Sequence, residues 1–271
     1  MKRVALALGL TLVLILASVG VVGAITDGEL DGSRHPHVVL ILMEVGGEPA
    51  FRCSGTLISP TVVLTAGHCT NNYPDEPYSG MRIFTESDVQ AGIGTTNNYP
   101  YGGGKYSVEA KSWAAHPLYQ TAPFYVHDVG VIVLKKAVRL PAYGELPTVD
   151  QFDSLDNGPD TVFTAVGYGL QQSFPDASYW KTHNTRTRYL AHPWLIQING
   201  GIVGDYSFLL SNNAHSGGTC FGDSGGANFL GDTNLVAGIT SFGLNGNCAG
   251  TGGVFRTDRQ DVLDFVNSYL D

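Results

Sequence analysis

Two short segments of this chain carry residue types that could do covalent chemistry together. They are Gly222-Asp223-Ser224-Gly225-Gly226 and Thr65-Ala66-Gly67-His68-Cys69. A serine hydroxyl is a poor nucleophile at its free pKa. It needs a base to take its proton, a group to orient that base, and donors for the oxyanion that develops on the attacked carbonyl. Glycines on both sides of Ser224 let the backbone turn tightly and bring its N–H groups close to a bound carbonyl. The chemistry indicated is acyl transfer through an activated serine.

The order of residues along the chain narrows the constellation. The pentapeptide also fits G-x-S-x-G, the nucleophile elbow of α/β-hydrolases, but that arrangement needs a histidine after the serine. The chain has eight histidines and none follows Ser224. An order with aspartate first and serine last would need a parallel α/β sheet, and helical periodicity is almost absent between the first twenty-odd residues and the last fifteen. The remaining order is His, Asp, Ser. The aspartate that fits is Asp128, in His127-Asp128-Val129-Gly130-Val131-Ile132-Val133-Leu134. An acid opening an apolar strand can be buried against an imidazole. The other aspartates of the interval sit among Gly, Pro, Asn and Ser and read as solvated turn residues.

On these residues the chain resembles the trypsin/chymotrypsin-like serine endopeptidases. The matching segments are Cys53-Ser54-Gly55-Thr56-Leu57-Ile58, Leu64-Thr65-Ala66-Gly67-His68-Cys69, His116-Pro117-Leu118-Tyr119, His127-Asp128-Val129-Gly130, Gly167-Tyr168-Gly169, Cys220 to Gly226 and Ser241-Phe242-Gly243. They occur in family order from about Ile25 to the C-terminus. The resemblance implies a triad of His68, Asp128 and Ser224, and an oxyanion hole made by the N–H groups of Gly222 and Ser224. It implies substrate contacts from Gly218, Thr219, Ser241, Phe242, Gly243 and Gly253. Gly218, six residues before the serine, would form the floor of the specificity pocket and offers no carboxylate for Lys or Arg. Thr240 stands where Glu-preferring relatives carry histidine. A neutral pocket of this kind is expected to take large apolar residues.

The resemblance implies disulfides as well. Four cysteines allow three pairings, and the family pairs Cys53 with Cys69 and Cys220 with Cys248. A zinc site would need closer C-x-x-C spacings than these. In the family a freed N-terminal isoleucine or valine inserts its amine beside the aspartate preceding the nucleophile. Here that pair is Ile25 and Asp223. Departures from the family pattern are Phe242 and Tyr168, each in place of tryptophan, and Ala227 in place of proline. A catalytically silent, protein-binding relative is the rival expectation, but such relatives usually lose a triad residue, and here all three are kept.

Composition sets the frame. The 271 residues carry 35 glycines, 14% charged residues and a net charge of −9. Short β-rich runs recur between turn signals, as in an all-β domain. No basic stripe offers a nucleic-acid surface. Residues 1–24 have the layout of a secretory signal: Lys2 and Arg3, an apolar run from Val4 to Val22, then Val22-Gly23-Ala24 as a cleavage site. Retention of that run as an anchor is the alternative, disfavoured because no stop-transfer cluster follows. The expected product is a secreted, extracellular monomer acting on protein or peptide, with no stable membrane association and no cofactor. Asp75 and Glu76 follow His68 in a loop where some relatives bind calcium, but two acids in a turn are more often simply solvated, so no metal is expected.

These residues must be positioned by strands. The fold expected is all-β, two antiparallel six-stranded barrels with the site between them and a C-terminal α-helix. The first barrel spans about 25–140, the second about 141–256, and the helix about 258–270. Strand-like runs are Val38–Glu44, Gly55–Ser59, Thr61–Thr65, Met81–Phe84, Val89–Gly92, Ser107–Ala115 and Gly130–Leu134. In the second half they are Thr161–Val166, Arg188–Ala191, Leu195–Ile198, Phe208–Ser211, Leu235–Ser241 and Gly253–Arg256. Val262, Phe265, Val266 and Tyr269 recur at helical spacing, with Thr257 or Asp258 as N-cap.

Overall fold

The computed structural model describes residues 25–119, 126–173, 184–201 and 203–270. The expected leader, residues 1–24, lies outside the described residues. No described helix is long and apolar enough to cross a membrane.

The first half closes into a barrel. Its strands are β2 (Val38–Val45), β3 (Glu48–Leu57), β4 (Val62–Thr65), β5 (Tyr78–Phe84), β6 (Ser107–Ala115) and β7 (Gly130–Leu134). They pair in the order β2-β3-β4-β7-β6-β5 and back to β2. The apolar run Val38–Met43 is buried along its whole length. It is covered on both faces, which explains why it reads as continuous rather than alternating.

The second half repeats the plan with β8 (Gly158–Gly167), β10 (Trp194–Gln197), β11 (Ser207–Asn212), β12 (Ala227–Leu230), β13 (Val236–Gly243) and β14 (Gly250–Arg256). The order β8-β10-β11-β14-β13-β12 closes through pairing of β12 with β8. Strand β9 (Tyr189–Ala191) lies on β8, and β1 (Glu29–Leu30) extends it. All these pairings are antiparallel. One apolar cluster spans both barrels, joining Val39, Ile41 and Leu64 of the first to Val166, Phe229 and Phe255 of the second.

Three elements differ from the sequence expectation. Val89–Gly92 is a single helical turn (α2), because the Asp88 carboxylate accepts the Ala91 N–H at 2.9 Å and caps it. That local bond offers the backbone an alternative to a sheet ladder. The C-terminal helix α3 spans Gln260–Asn267, and neither Thr257 nor Asp258 caps it. Thr257 instead donates to the carbonyls of Val236 and Ala237, and Asp258 pairs with the buried guanidinium of Arg256 at 2.8 Å. Strand β12, directly after the serine segment, was absent from the expected strands. Gly225 and Gly226 mask its start, and its pattern is only four residues long.

Candidate active site

His68 sits in one helical turn, α1 (Gly67–Thr70), at the end of β4. Asp128 lies two residues before β7, the strand paired with β4. Register therefore sets the two side by side. The His68 ring Nδ1 lies 3.0 and 3.1 Å from the two Asp128 carboxylate oxygens, and the His68 backbone N–H donates to the same group at 2.9 Å. Ser241 Oγ, from β13 of the other barrel, donates to Asp128 Oδ2 at 2.5 Å. The carboxylate is 1% exposed and accepts from both barrels. Burial alone would lower the His68 pKa, but the charge and hydrogen bond of Asp128 outweigh it and hold the imidazole above its usual value.

Ser224 lies on the tight loop between the Cys220 region and β12. Its carbonyl accepts the Ser54 N–H at 2.8 Å. Ser54 follows Cys53, and Cys53 is bridged to Cys69, the neighbour of His68. The loop is thus tied to the histidine turn through two residues and one disulfide. Gly225 (φ +80°) packs so tightly on β4 that a Cβ there would lie 2.0 Å from Thr65 Oγ1. Gly222 (φ +96°) is in the region that side chains disfavour. Its carbonyl accepts from Ser54 Oγ at 3.0 Å.

Asp223 points the other way, into the protein. Its carboxylate accepts the N–H of Gly169 at 2.7 Å and of Cys220 at 2.9 Å. Burial pushes its pKa up to about 7 against the pull of these donors and of Arg52. Ile25 is fully buried beside Ala165, Tyr189 and Ala191. The next residue, Thr26, pairs with Gly218 as an isolated antiparallel bridge. Ile25 is not among the hydrogen-bond partners of Asp223 described here. In this continuous chain its nitrogen is an amide joined to Ala24, not an ammonium.

A cavity of about 410 Å³ opens beside Ser224, lined by Thr219, Ser241, Phe242 and Gly243, and by Asn212 and Asn245. No charged side chain among the described residues lines it. Gly218 and Gly253, two of the expected pocket residues, do not. The Asn212 carboxamide stands over Gly218, where a Cβ would meet its Cγ at 2.2 Å, and the Phe242 ring lies over Gly253 at 2.4 Å. Asn212 accepts from Thr26 Oγ1 at 2.9 Å and donates to the Thr219 carbonyl at 2.8 Å. Sequence reasoning missed Asn212. It sits at the end of β11 with no motif around it, and only the register of β11 on β14 brings it to the cavity.

The second disulfide joins Cys220 to Cys248. Cys53, His68 and Cys69 converge within 4.8 Å, but the two sulfurs are bonded to each other and offer no thiolate to a metal.

Comparison with known proteins bears on the family and the fold. The family model described as Trypsin matches residues 29–266. A brachyurin from Leptuca pugilator is 30% identical over 201 residues, covering 72% of this chain and 77% of that protein. A chymotrypsin from Phaedon cochleariae is 26% identical, covering 87% of this chain and 76% of its own length. Among solved structures, a collagenase superposes with a TM-score of 0.66 at 20% identity, over 91% of this chain and 98% of that one.

Proposed function

The chain belongs to the trypsin family, and from that premise we propose that it is a secreted serine endopeptidase with His68, Asp128 and Ser224 as its triad. Ser224 Oγ attacks the carbonyl of a peptide bond while His68 takes its proton. The proton then passes to the leaving amine, and water hydrolyses the acyl-enzyme by the same route in reverse. Asp128 holds the ring with its Nδ1–H toward the carboxylate and stabilises the imidazolium. Ser241 helps to hold Asp128. The N–H groups of Gly222 and Ser224 receive the oxyanion, a role worth about 3 kcal/mol per donor in the transition state. The observation that carries this reading is the Asp128 carboxylate, buried and shared by His68 from one barrel and Ser241 from the other.

The residue before the scissile bond enters the cavity beside Ser224. Its uncharged lining supports a preference for large apolar side chains over Lys, Arg or Asp. Ser241-Phe242-Gly243 lies at the end of β13, where an extended substrate can add as a strand. Export is supported by the leader-like residues 1–24 and by the two disulfides. Cleavage after Ala24 frees the Ile25 amine. Burial of Ile25 and the bridge from Thr26 to Gly218 support its insertion toward Asp223, whose raised pKa marks a carboxylate short of counter-charge. The test is cleavage of a peptide library by the processed chain. Cuts after large apolar residues are expected, and cuts confined to Lys or Arg would contradict the pocket assignment. No cleavage by a folded chain would favour a silent relative.

A further inference from the structure

Cys220, Phe221 and Ser224, the neighbours of Gly222, line the cavity that takes the acyl half of the substrate. Gly222 itself packs against Arg52, from β3 of the first barrel, which does not line that cavity. A Cβ placed on Gly222 would meet Arg52 Nε at 2.9 Å and its Nη2 at 3.3 Å. Arg52 directly precedes Cys53, whose disulfide partner Cys69 adjoins His68. The amine leaving the scissile bond takes its proton from His68, so the segment after that bond starts beside the histidine turn to which the strand of Arg52 is bridged.

Arg52 is not alone there. Its guanidinium donates to Asn184 Oδ1. Arg186, two residues further, donates to the Asn184 carbonyl and packs on the ring of Tyr99. Two guanidinium groups therefore flank one edge of the candidate active site in a chain of net charge −9. Among the described residues neither has a carboxylate within 4 Å, whereas Arg34, Arg82, Arg188, Arg256 and Arg259 each do. Burial and the charge of Arg186 disfavour the cationic form of Arg52 and outweigh the opposing pull of Tyr99 and of the more distant Asp223, so an anion arriving here relieves an existing cost.

We infer that Arg52, supported by Arg186, forms a subsite that selects an acidic residue in the segment just after the scissile bond. The inference rests on the endopeptidase reading and adds to it a preference on the leaving side, where the substrate carboxylate pairs with a partly buried guanidinium. Arginine suits this because its planar fork can bind a carboxylate through two hydrogen bonds.

The test is a set of quenched fluorescent peptides with one fixed acyl half. Glu, Ala or Lys is placed at the first or the second position after the bond. The parent is expected to cleave the Glu peptide with a kcat/KM about fivefold to tenfold above the Ala peptide at one of the two positions, with Lys below both. That ratio should shrink as salt is raised to about 0.5 M. In Arg52→Gln the Glu-to-Ala ratio should fall to about one, and in Arg186→Gln it should fall part of the way. Because the readout is a ratio within each variant, a general loss of activity does not disturb it. A parent ratio near one, or a preference for Lys, overturns the subsite and leaves the endopeptidase reading intact. So does an Arg52→Gln that slows all peptides by one common factor, since Arg52 would then be serving the Gly222 loop. Failure of every peptide, with Ser224 unreactive to a fluorophosphonate, overturns the endopeptidase reading and the subsite with it.

Discussion

His127 Nε2 lies 2.8 Å from Asp261 Oδ2, so the C-terminal helix is tied to the residue immediately before Asp128. His127 adopts φ +59°, and its ring stacks on His116 at 4.8 Å and touches Tyr206. A side chain held in the left-handed region persists when its surroundings fix it. The helix thereby helps to set where the Asp128 carboxylate points. Asp261→Asn is expected to cost about 1 kcal/mol of stability, since the pair is partly exposed. It should also lower kcat a few-fold with KM little changed. Steady-state kinetics and a thermal melt read both. An unchanged kcat would separate α3 from the positioning of Asp128.

The second expectation concerns His68. Its pKa is held above the ordinary histidine value by Asp128, against the opposing effect of burial. The neutral ring is the base, so activity should fall as pH drops, with a midpoint above 6.5 in kcat/KM. The stability sign is the reverse. The imidazolium–Asp128 attraction is fully present below the unfolded histidine pKa and is lost as pH rises through the folded value. A pH–rate profile flat from pH 5 to 8 would contradict the role of His68 as base.

A third follows from Asp223, whose carboxyl is pushed up to about 7 while Ile25 remains in a peptide bond. Folding then favours the protonated form. That contribution is full below the unfolded aspartate pKa near 4 and is lost as pH rises through about 7, amounting to about 4 kcal/mol at most. A chain with a soluble extension ahead of Ile25 should lose stability from pH 4 to 8 in denaturant titrations. Asp223→Asn should flatten that slope, and freeing the Ile25 amine should reverse it by supplying an ammonium partner. A slope independent of Asp223 and of the extension would show that the backbone donors alone satisfy the carboxylate.

Gly225→Ala tests the packing of the serine loop. The position has φ +80°, and its Cβ would lie 2.0 Å from Thr65 Oγ1 and 2.4 Å from the Ser54 carbonyl. A loss of roughly 2–4 kcal/mol is expected in chemical denaturation, from backbone strain and displacement of β4 together. Full stability would mean that the loop can move off β4.

Much of this architecture was legible in the residues, for identifiable reasons. Ser107–Ala115 and Gly130–Leu134 fall where their β-rich runs place them, the first between Gly102-Gly103-Gly104 and His116-Pro117, the second between Asp128 and Lys135-Lys136. The two disulfides pair as the resemblance implied. Short motifs single out His68, Asp128 and Ser224, and the structure sets His68 against Asp128. Nothing in the sequence marks a residue that only three-dimensional register brings in. Asn212 carries no motif and comes to the cavity through the strand that holds it. Asp258 looked like a cap because local sequence cannot show that Arg256, two residues earlier, is buried and takes its charge. Val89–Gly92 looked like a strand because a β-branched residue outweighs one capping aspartate in a short window.

On the proposed reading, Ser224 is activated by His68. The most direct measurement is covalent labelling of the processed chain by a fluorophosphonate, with the modified residue found by mass spectrometry. Rapid, stoichiometric modification of Ser224 is expected. His68→Ala should abolish it, and the Ser224→Ala/His68→Ala double variant should be little less active on peptide than either single one, because the residues act as a unit. A folded, processed chain whose Ser224 stays unlabelled, or labels equally fast without His68, would contradict the account.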